Sequence, residues 1–414
     1  MDTKTLRCGL LGRKLGHSYS PAIHERLADY SYRLFEVEPE DLGAFLQEGA
    51  FDGLNVTIPY KKDVIPYCAE LSDTARAIGA VNTLVRRADG TLWGDNTDAY
   101  GFSMLVQSSG ADIAGKKALV FGSGGASATA QYVLRRLGAR EVVVISRHGE
   151  DNYENLDRHA DAQIAVNTTP VGMYPNTGVS PVDLHRLPRL EAALDVVYNP
   201  ARTEFLLQAE ARGLRRANGL LMLAAQAKKS CEDFTGEPVD DAKIFSITKA
   251  LEAQMHNVIL IGMPGSGKTT IGTLVAKRLG RTFVDSDSAL EREAGMPIPE
   301  IFRREGEAGF RRRETAALAE PGRQSGLVPA TGGGSVTGEQ TYPLLHQNGE
   351  IFCLQRALER LPSAGRPVSQ ALGAQTIYAQ RKPLYARFAD AMIDNNGTPE
   401  TAAAQILEVL GCSC

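Results

Sequence analysis

Short apolar runs alternate along this chain with stretches whose apolar residues recur at helical spacing, and that alternation predicts an α/β protein. Near the start, Cys8 to Gly12, Leu34 to Val37, Leu54 to Ile58 and Thr83 to Arg86 read as strands. Ser20 to Tyr32, Glu40 to Glu48, Lys61 to Tyr67 and Ser72 to Ile78 read as helices, and the order predicts a mostly parallel open sheet. A turn within Ala111 to Lys117 leads to a buried strand, Ala118 to Phe121, then a crossover helix from Ala128 to Leu137 and a strand from Glu141 to Ile145. Further strands fall at Ile164 to Val166 and Leu194 to Tyr198, with helices from Thr203 to Arg212 and Met222 to Cys231.

The polar, turn-rich stretch Thr235 to Asp241 and the helical Ala242 to Met255 make the best domain boundary. Beyond it, Val258 to Ile261 is a strand, Ile271 to Leu279 a helix, and Arg281 to Val284 a strand. Helices cover Ser288 to Ala294 and Ile298 to Ala319, the second broken near Gly306 and Gly309. A Gly332-Gly333-Gly334 turn, a strand from Ile351 to Leu354 and a helix from Thr398 to Leu410 complete the pattern, with no repeats.

At 414 residues the chain has room for two or three domains, each with a core. Its net charge of −4 gives no basic field for nucleic acid or an anionic membrane, so clustered arginines read as sites for small anions. No run reaches the roughly 18 apolar residues of a membrane span, and no leader pattern precedes the first strand, so the cytoplasm is expected. The six cysteines show no zinc-type pairing and read as reduced thiols, with a redox or metal role left open for the terminal Cys412-Ser413-Cys414.

Two nucleotide cradles stand out. The strand before Gly262 runs into Gly262-Met263-Pro264-Gly265-Ser266-Gly267-Lys268-Thr269-Thr270, a phosphate-binding loop. Its N–H groups wrap an anion, Lys268 reaches the terminal phosphates and the Thr269 hydroxyl holds Mg²⁺. Downstream, Asp285 and Asp287 share a face of an extended chain, so one can serve the Mg²⁺ shell and the other an acceptor; helix capping is the other reading. Arg311, Arg366 and Arg381 fit an anionic acceptor, and Gly332 to Gly334 let backbone approach it closely.

The earlier cradle, Gly122-Ser123-Gly124-Gly125-Ala126-Ser127, follows a strand and opens a helix, as in dinucleotide-binding folds, with Ser127 small enough for close helix packing. Where NAD enzymes place an acid at the end of the next strand, this chain has Ser146-Arg147, a cation suited to the 2′-phosphate of NADP; Glu150 and Asp151 come too late for the acidic role. Upstream, His17 to Pro21, Asn55 to Lys61, Gly79 to Thr83 and Gly94 to Asp98 set small polar groups at or just after strand ends, which suits a polyhydroxylated acid.

With those motifs in that order, roughly the first 250 residues resemble shikimate dehydrogenases. The resemblance implies a split substrate domain, 1–103 plus 219–245, around a Rossmann-type NADP domain, 104–218. It implies that Ser18 and Ser20 hold the substrate carboxylate, that Asn55, Thr57, Asn82 and Gln226 bind hydroxyls, and that Tyr198 lies near substrate. Lys61 and Asp98 become the catalytic pair: reducing a ketone builds charge on oxygen, and Lys61 can supply the proton with Asp98 orienting it. Ser146, His148 and Leu221 depart from the family pattern, where Asn, Thr and Gly are usual.

From about Asn257 the chain resembles shikimate kinases, so residues 246–256 link to a P-loop kinase domain, 257–414, with a parallel sheet. By that resemblance Asp287, Arg311, Arg381 and Gly332 to Gly334 bind shikimate, Arg311 and Arg381 clamping its carboxylate. Asp285 with Thr269 handles Mg²⁺, the loop from Gly262 to Thr270 takes ATP, Arg360 and Arg366 belong to a lid, and Asn395 to Pro399 join the adenine pocket. The stretch from Arg360 to Arg381 is short for that lid. Together the halves imply NADPH-dependent reduction of 3-dehydroshikimate and ATP-dependent phosphorylation of the shikimate formed. The alternatives are a second half that senses nucleotide without catalysis, and a quinate-type dehydrogenase using NAD. The oligomeric state is not legible.

Overall fold

The computed structural model describes residues 6–16, 18–49, 51–361 and 373–411. His17, Arg366, Cys412 and Cys414 lie outside the described residues. The chain forms two compact units, one built from residues up to 250, the other from 251 onward together with 172–179 and 199–207.

The first unit holds two sheets. One comprises β1 (Arg7–Gly12), β2 (Ser31–Glu36), β3 (Gly53–Val56), β4 (Cys68–Leu71), β5 (Thr83–Arg86) and β6 (Leu92–Asp95), in the order β2-β1-β3-β5-β6-β4. β1 is parallel to β2 and β3, and β4 to β6; β5 alone runs antiparallel to its neighbours, so the sheet is mostly parallel, as expected, with one reversed strand. The cause is local. Asp89-Gly90 forms a tight turn between β5 and β6, with Gly90 at φ 87° and the Asp89 carboxylate accepting from the Thr91 N–H at 2.9 Å, and a hairpin forces antiparallel pairing.

Other expectations move. The helix over Ser20 to Tyr32 ends at Leu27, because Tyr32 belongs to β2, whose Ser31 N–H bonds the Leu6 carbonyl at 3.0 Å. The stretch Lys61 to Tyr67 is not an α-helix but turns ending in one 3₁₀ turn, Ile65–Tyr67, where Pro66 supplies no N–H. Leu11, Leu54, Val56 and Leu84 are buried in the core beneath this sheet.

The second sheet of this unit, β7 (Lys117–Phe121), β8 (Glu141–Ile145), β9 (Ile164–Asn167), β10 (Ala192–Asp195) and β11 (Arg215–Ala217), is parallel throughout in the order β11-β10-β9-β7-β8. β7 is buried along its length and flanked by β8 and β9, so the strand order reverses beside it. A crevice opens at the carboxyl end of such a strand, where Gly122 follows.

The second unit carries β12 (Asn257–Gly262), β13 (Thr282–Asp285), β14 (Leu327–Ala330), β15 (Gly349–Gln355) and β16 (Ala391–Asp394), all parallel, in the order β13-β14-β12-β15-β16. β12 is entirely buried, and the phosphate loop leaves its carboxyl end between β14 and β15. The long helix Ile298–Arg323 is interrupted at Gly306, at φ 67° and ψ −175°, as the two glycines foretold. β14, β16 and the helices Thr341–His346 and Ala374–Phe388 had no expectation in the pattern. Among the described residues no helix is long and apolar enough to cross a membrane, and Cys8, Cys68, Cys231 and Cys353 are free thiols.

Candidate active sites

A cavity of about 260 Å³ in the first unit collects the nine residues expected at the acid substrate: Ser18, Ser20, Asn55, Thr57, Lys61, Asn82, Asp98, Tyr198 and Gln226. They come from distant stretches, joined by the sheet and by the helices Asp98–Ser109 and Leu220–Thr235. Lys61 Nζ lies 2.6 Å from Asp98 Oδ2, and both side chains are largely buried. A desolvated ammonium paired to a carboxylate is held in place and can pass a proton to an oxygen beside it.

Asn55 is fixed by residues the motifs did not reveal, Asn82 by residues within them. Asn55 Nδ2 donates to Ser230 Oγ at 2.6 Å and its Oδ1 accepts from the Tyr32 hydroxyl at 2.8 Å. Asn82 Oδ1 accepts from the Thr97 N–H at 2.7 Å, and its Nδ2 reaches Gln226 Oε1 at 3.4 Å. Ser230 was findable: it stands four residues after Gln226 on one helix face. The Ser18 and Ser20 hydroxyls lie 3.2 Å apart. Burial raises the Tyr198 phenol above its ordinary value, so at neutral pH it is an uncharged donor, packed edge-on against Tyr19.

Beside this cavity lies a larger one, about 1060 Å³, and Lys61 and Thr57 line both. Gly122, Ser123, Gly124, Gly125, Ala126 and Arg147 face it. A Cβ on Gly124 would meet nothing within 4 Å, and one on Gly125 only Lys61 Cδ at 3.9 Å, so open space lies before the backbone where a pyrophosphate would sit at the start of the helix Gly125–Arg136. A dinucleotide fits this cradle. Ser127 is a correction: it is fully buried and does not line the cavity, because its place on the helix turns it toward the protein, where its Oγ accepts from Gln131. Arg147 is exposed at the rim. Asp151 contacts His159 at 2.8 Å and is not among the residues lining the cavity, and Tyr153, stacked on Phe121, forms an unforeseen wall.

In the second unit a cavity of about 580 Å³ is lined by Gly265, Gly267, Lys268, Thr269 and Thr270 on one side. Asp285, Asp287, Arg311, Gly332 to Gly334 and Arg381 line it too. Gly262, Gly265 and Gly267 take φ of 140°, 82° and 94°, a run of backbone that side chains disfavour and that turns N–H groups inward. Gly262 and Ser266, expected at the nucleotide, do not line the cavity; they shape the loop from behind, Gly262 through its carbonyl, which accepts from Lys268 Nζ at 2.9 Å. The buried Ser266 Oγ has no hydrogen-bond partner.

Asp285 does two things at once. Its Oδ1 accepts from the N–H groups of Asp287 and Ser288, capping the helix Ser286–Ala294, while its Oδ2 accepts from Thr269 Oγ1 at 2.8 Å. The capping and metal readings are therefore compatible. Mg²⁺ takes one or two protein oxygens and completes its shell with phosphate and water, and Thr269 Oγ1 and Asp285 Oδ2 are oxygen donors of that kind.

Burial pushes Asp287 up to about 6, opposed by Lys268 and reinforced by Glu314 and Asp285. Glu314 was missed in the sequence, although it stands three residues from Arg311 on the same helix. Its Oε2 accepts from Arg311 Nη1 at 2.6 Å, its Oε1 has no partner, and burial raises its carboxyl. Arg381 Nη1 and the Tyr385 hydroxyl both donate to the Gly333 carbonyl, at 2.9 and 2.6 Å, fixing the glycine turn. A Cβ on Gly332 would lie 2.8 Å from Asp287 Oδ1, and one on Gly333 2.5 Å from Pro264 Cδ, so no side chain fits there. Arg360 donates to the Asn396 carbonyl.

These folds and cavities define a two-enzyme chain: a dinucleotide-dependent oxidoreductase in the first unit and a P-loop phosphotransferase in the second. Residues 10–84 match the family model of the shikimate dehydrogenase substrate binding domain, and residues 264–411 that of shikimate kinase. Shikimate dehydrogenase (NADP(+)) of Clostridium perfringens (strain SM101 / Type A) is 36% identical over 267 residues, 59% of this chain and 98% of that protein. A solved chorismate mutase/shikimate 5-dehydrogenase fusion protein from Clostridium acetobutylicum is 36% identical with a TM-score of 0.57, covering 60% of this chain and 98% of that one. Shikimate 5-dehydrogenase from Thermus thermophilus, solved in complex with NADP(H) and shikimate, is 33% identical with a TM-score of 0.55, over 59% and 99% of the two chains. The chain belongs to the shikimate dehydrogenase family, and it carries a shikimate kinase domain after the dehydrogenase.

Proposed function

We propose that the first unit reduces 3-dehydroshikimate to shikimate with NADPH and that the second phosphorylates this shikimate with ATP and Mg²⁺ to shikimate 3-phosphate. The observation that carries the reading is that each unit sets a small polar pocket against a nucleotide cradle, with a lysine at the junction: Lys61 lines both cavities of the first, and Lys268 shares the second's cavity with Asp287 and Arg381. The substrate domain is assigned to 1–103 plus 219–245, the NADP domain to 104–218, the linker to 246–256 and the kinase to 257–414. The substrates are small acids, and the cytoplasm is the proposed location.

In the dehydrogenase, bound NADPH supplies a hydride to the keto carbon. Ser18 and Ser20 bind the substrate carboxylate, and Asn55, Thr57, Asn82 and Gln226 hold the ring hydroxyls. Lys61 gives its proton to the oxygen as charge develops there, with Asp98 orienting the ammonium 2.6 Å away. Arg147 takes the 2′-phosphate, which favours NADP over NAD.

In the kinase, ATP supplies the phosphoryl group, Thr269 and Asp285 hold Mg²⁺, and Lys268 neutralises phosphate charge. Arg311 and Arg381 clamp the shikimate carboxylate. Asp287 accepts the proton of the attacking hydroxyl, and burial, with Glu314 and Asp285 nearby, raises its carboxyl and so makes it a stronger base than an ordinary aspartate.

Purified chain given 3-dehydroshikimate, NADPH, ATP and Mg²⁺ should oxidise NADPH and release ADP in equal amounts, with shikimate 3-phosphate as product. NADPH oxidation without ADP release would leave the second unit a nucleotide sensor, and faster turnover on quinate with NAD would replace the first assignment.

A further inference from the structure

Arg356 follows β15 directly and lines the kinase cavity, yet no part of the proposed mechanism employs it. Its Nη1 lies 3.9 Å from the place a Cβ would take on Gly267, so the guanidinium stands over the phosphate loop. Its Nε is buried without a hydrogen-bond partner, and no ion pair to Arg356 is found among the described residues.

The other cations of the cavity are engaged. Lys268 donates to the Gly262 and Met263 carbonyls, Arg381 to Gly333, and Arg311 to Glu314. Arg360, further along the chain, is held by Asn396. A partly buried guanidinium with no carboxylate partner bears a desolvation cost that a bound anion would offset. The adjacent loop is built to bind phosphate, and a guanidinium fork matches two phosphate oxygens. The carboxylate-binding arginines lie elsewhere in the cavity: Arg381 at the Gly333 carbonyl and Arg311 close to Gly334, whereas Arg356 neighbours Gly267 together with Asn395.

We infer that Arg356 binds the polyphosphate of the nucleoside triphosphate on the Gly267 flank of the loop. The inference rests on the kinase reading, and its test works by binding as well as by turnover. The full chain, with its dinucleotide site saturated by NADP, is titrated calorimetrically with ADP and with adenosine as native protein, Arg356→Ala and Arg356→Lys. Arg356→Ala should weaken ADP about tenfold or more, as loss of a charge-assisted hydrogen bond does, while Arg356→Lys recovers part of the loss. Adenosine affinity should not change, which also shows that the variant is folded. In steady state the KM for ATP should rise and the KM for shikimate stay the same. Unchanged ADP affinity, an equal loss for adenosine, or a rise in the shikimate KM alone would overturn the inference. ADP binding that depends on Arg356 in a chain unable to phosphorylate shikimate would sink the kinase reading and leave the role of Arg356 standing.

Discussion

A lysine and an aspartate 2.6 Å apart, the lysine lining both cavities of the first unit, concentrate the proposed reduction in a few atoms. Positioned acid–base groups contribute about 10² to 10⁴ in rate, so Lys61→Ala should lower kcat by that order with a much smaller change in KM for 3-dehydroshikimate. Stopped-flow NADPH oxidation checks this, and near-normal turnover would remove Lys61 from the chemistry. At the second site, Asp285 Oδ2 and Thr269 Oγ1 meet at 2.8 Å. Asp285→Asn should raise the Mg²⁺ concentration for half-maximal kinase rate about tenfold, measured by magnesium titration at saturating ATP and shikimate. At this scale the sequence was most readable, since the Gly265 to Thr270 and Gly122 to Ala126 runs carry their chemistry locally. Ser127 and Ser266 show the limit: motif membership did not say which members face the ligand.

Elements decide which of those residues meet. Gln226 reaches the acid pocket because the helix Leu220–Thr235 starts at Gly219, packed so tightly that a Cβ there would overlap the Val196 carbonyl oxygen. Gly219→Ala should destabilise the first unit by about 1–3 kcal/mol, as overpacking does, and raise KM for 3-dehydroshikimate by displacing Gln226. Urea unfolding and initial-rate kinetics on one preparation test both effects; a native midpoint with native KM would show that the contact yields. Strand and helix existence was largely legible, because apolar runs and caps such as Ser72 and Thr398 are local signals. β4, β11 and β16 were not: they are short and only partly buried, so their apolar pattern is weak.

For the molecule as a whole, stability depends also on buried groups that neither proposed reaction uses. His24 is fully buried, stacked on Tyr32 with its Nδ1 2.6 Å from the Tyr30 hydroxyl, and burial lowers its pKa to about 3 from the ordinary 6.5. The fold holds His24 neutral while the unfolded chain charges it. Its contribution is therefore complete above pH 6.5 and is lost as pH falls toward 3, at up to about 1.4 kcal/mol per pH unit. Asp233, raised to about 6 by burial, titrates with the opposite sign over part of that window, so the native protein should be compared with His24→Gln, in which Asp233 is unchanged. Denaturant unfolding between pH 7 and 4 should show a steeper loss in the native protein; equal slopes would mean that His24 charges within the fold.

The amino-acid order by itself determined the chemistry available: a phosphate loop after a strand, a second glycine cradle followed by Arg147, and the acids, amides and arginines of two small-acid sites. Those signals are local, set by backbone freedom and residue type over a few positions. Only the tertiary structure decided that Asn55 is held by Ser230, that Glu314 faces Asp287 across Gly332, and that Arg356 comes to rest over Gly267. Each of those meetings joins residues far apart in the chain, and sheet order and packing, not neighbouring residues, set their distance.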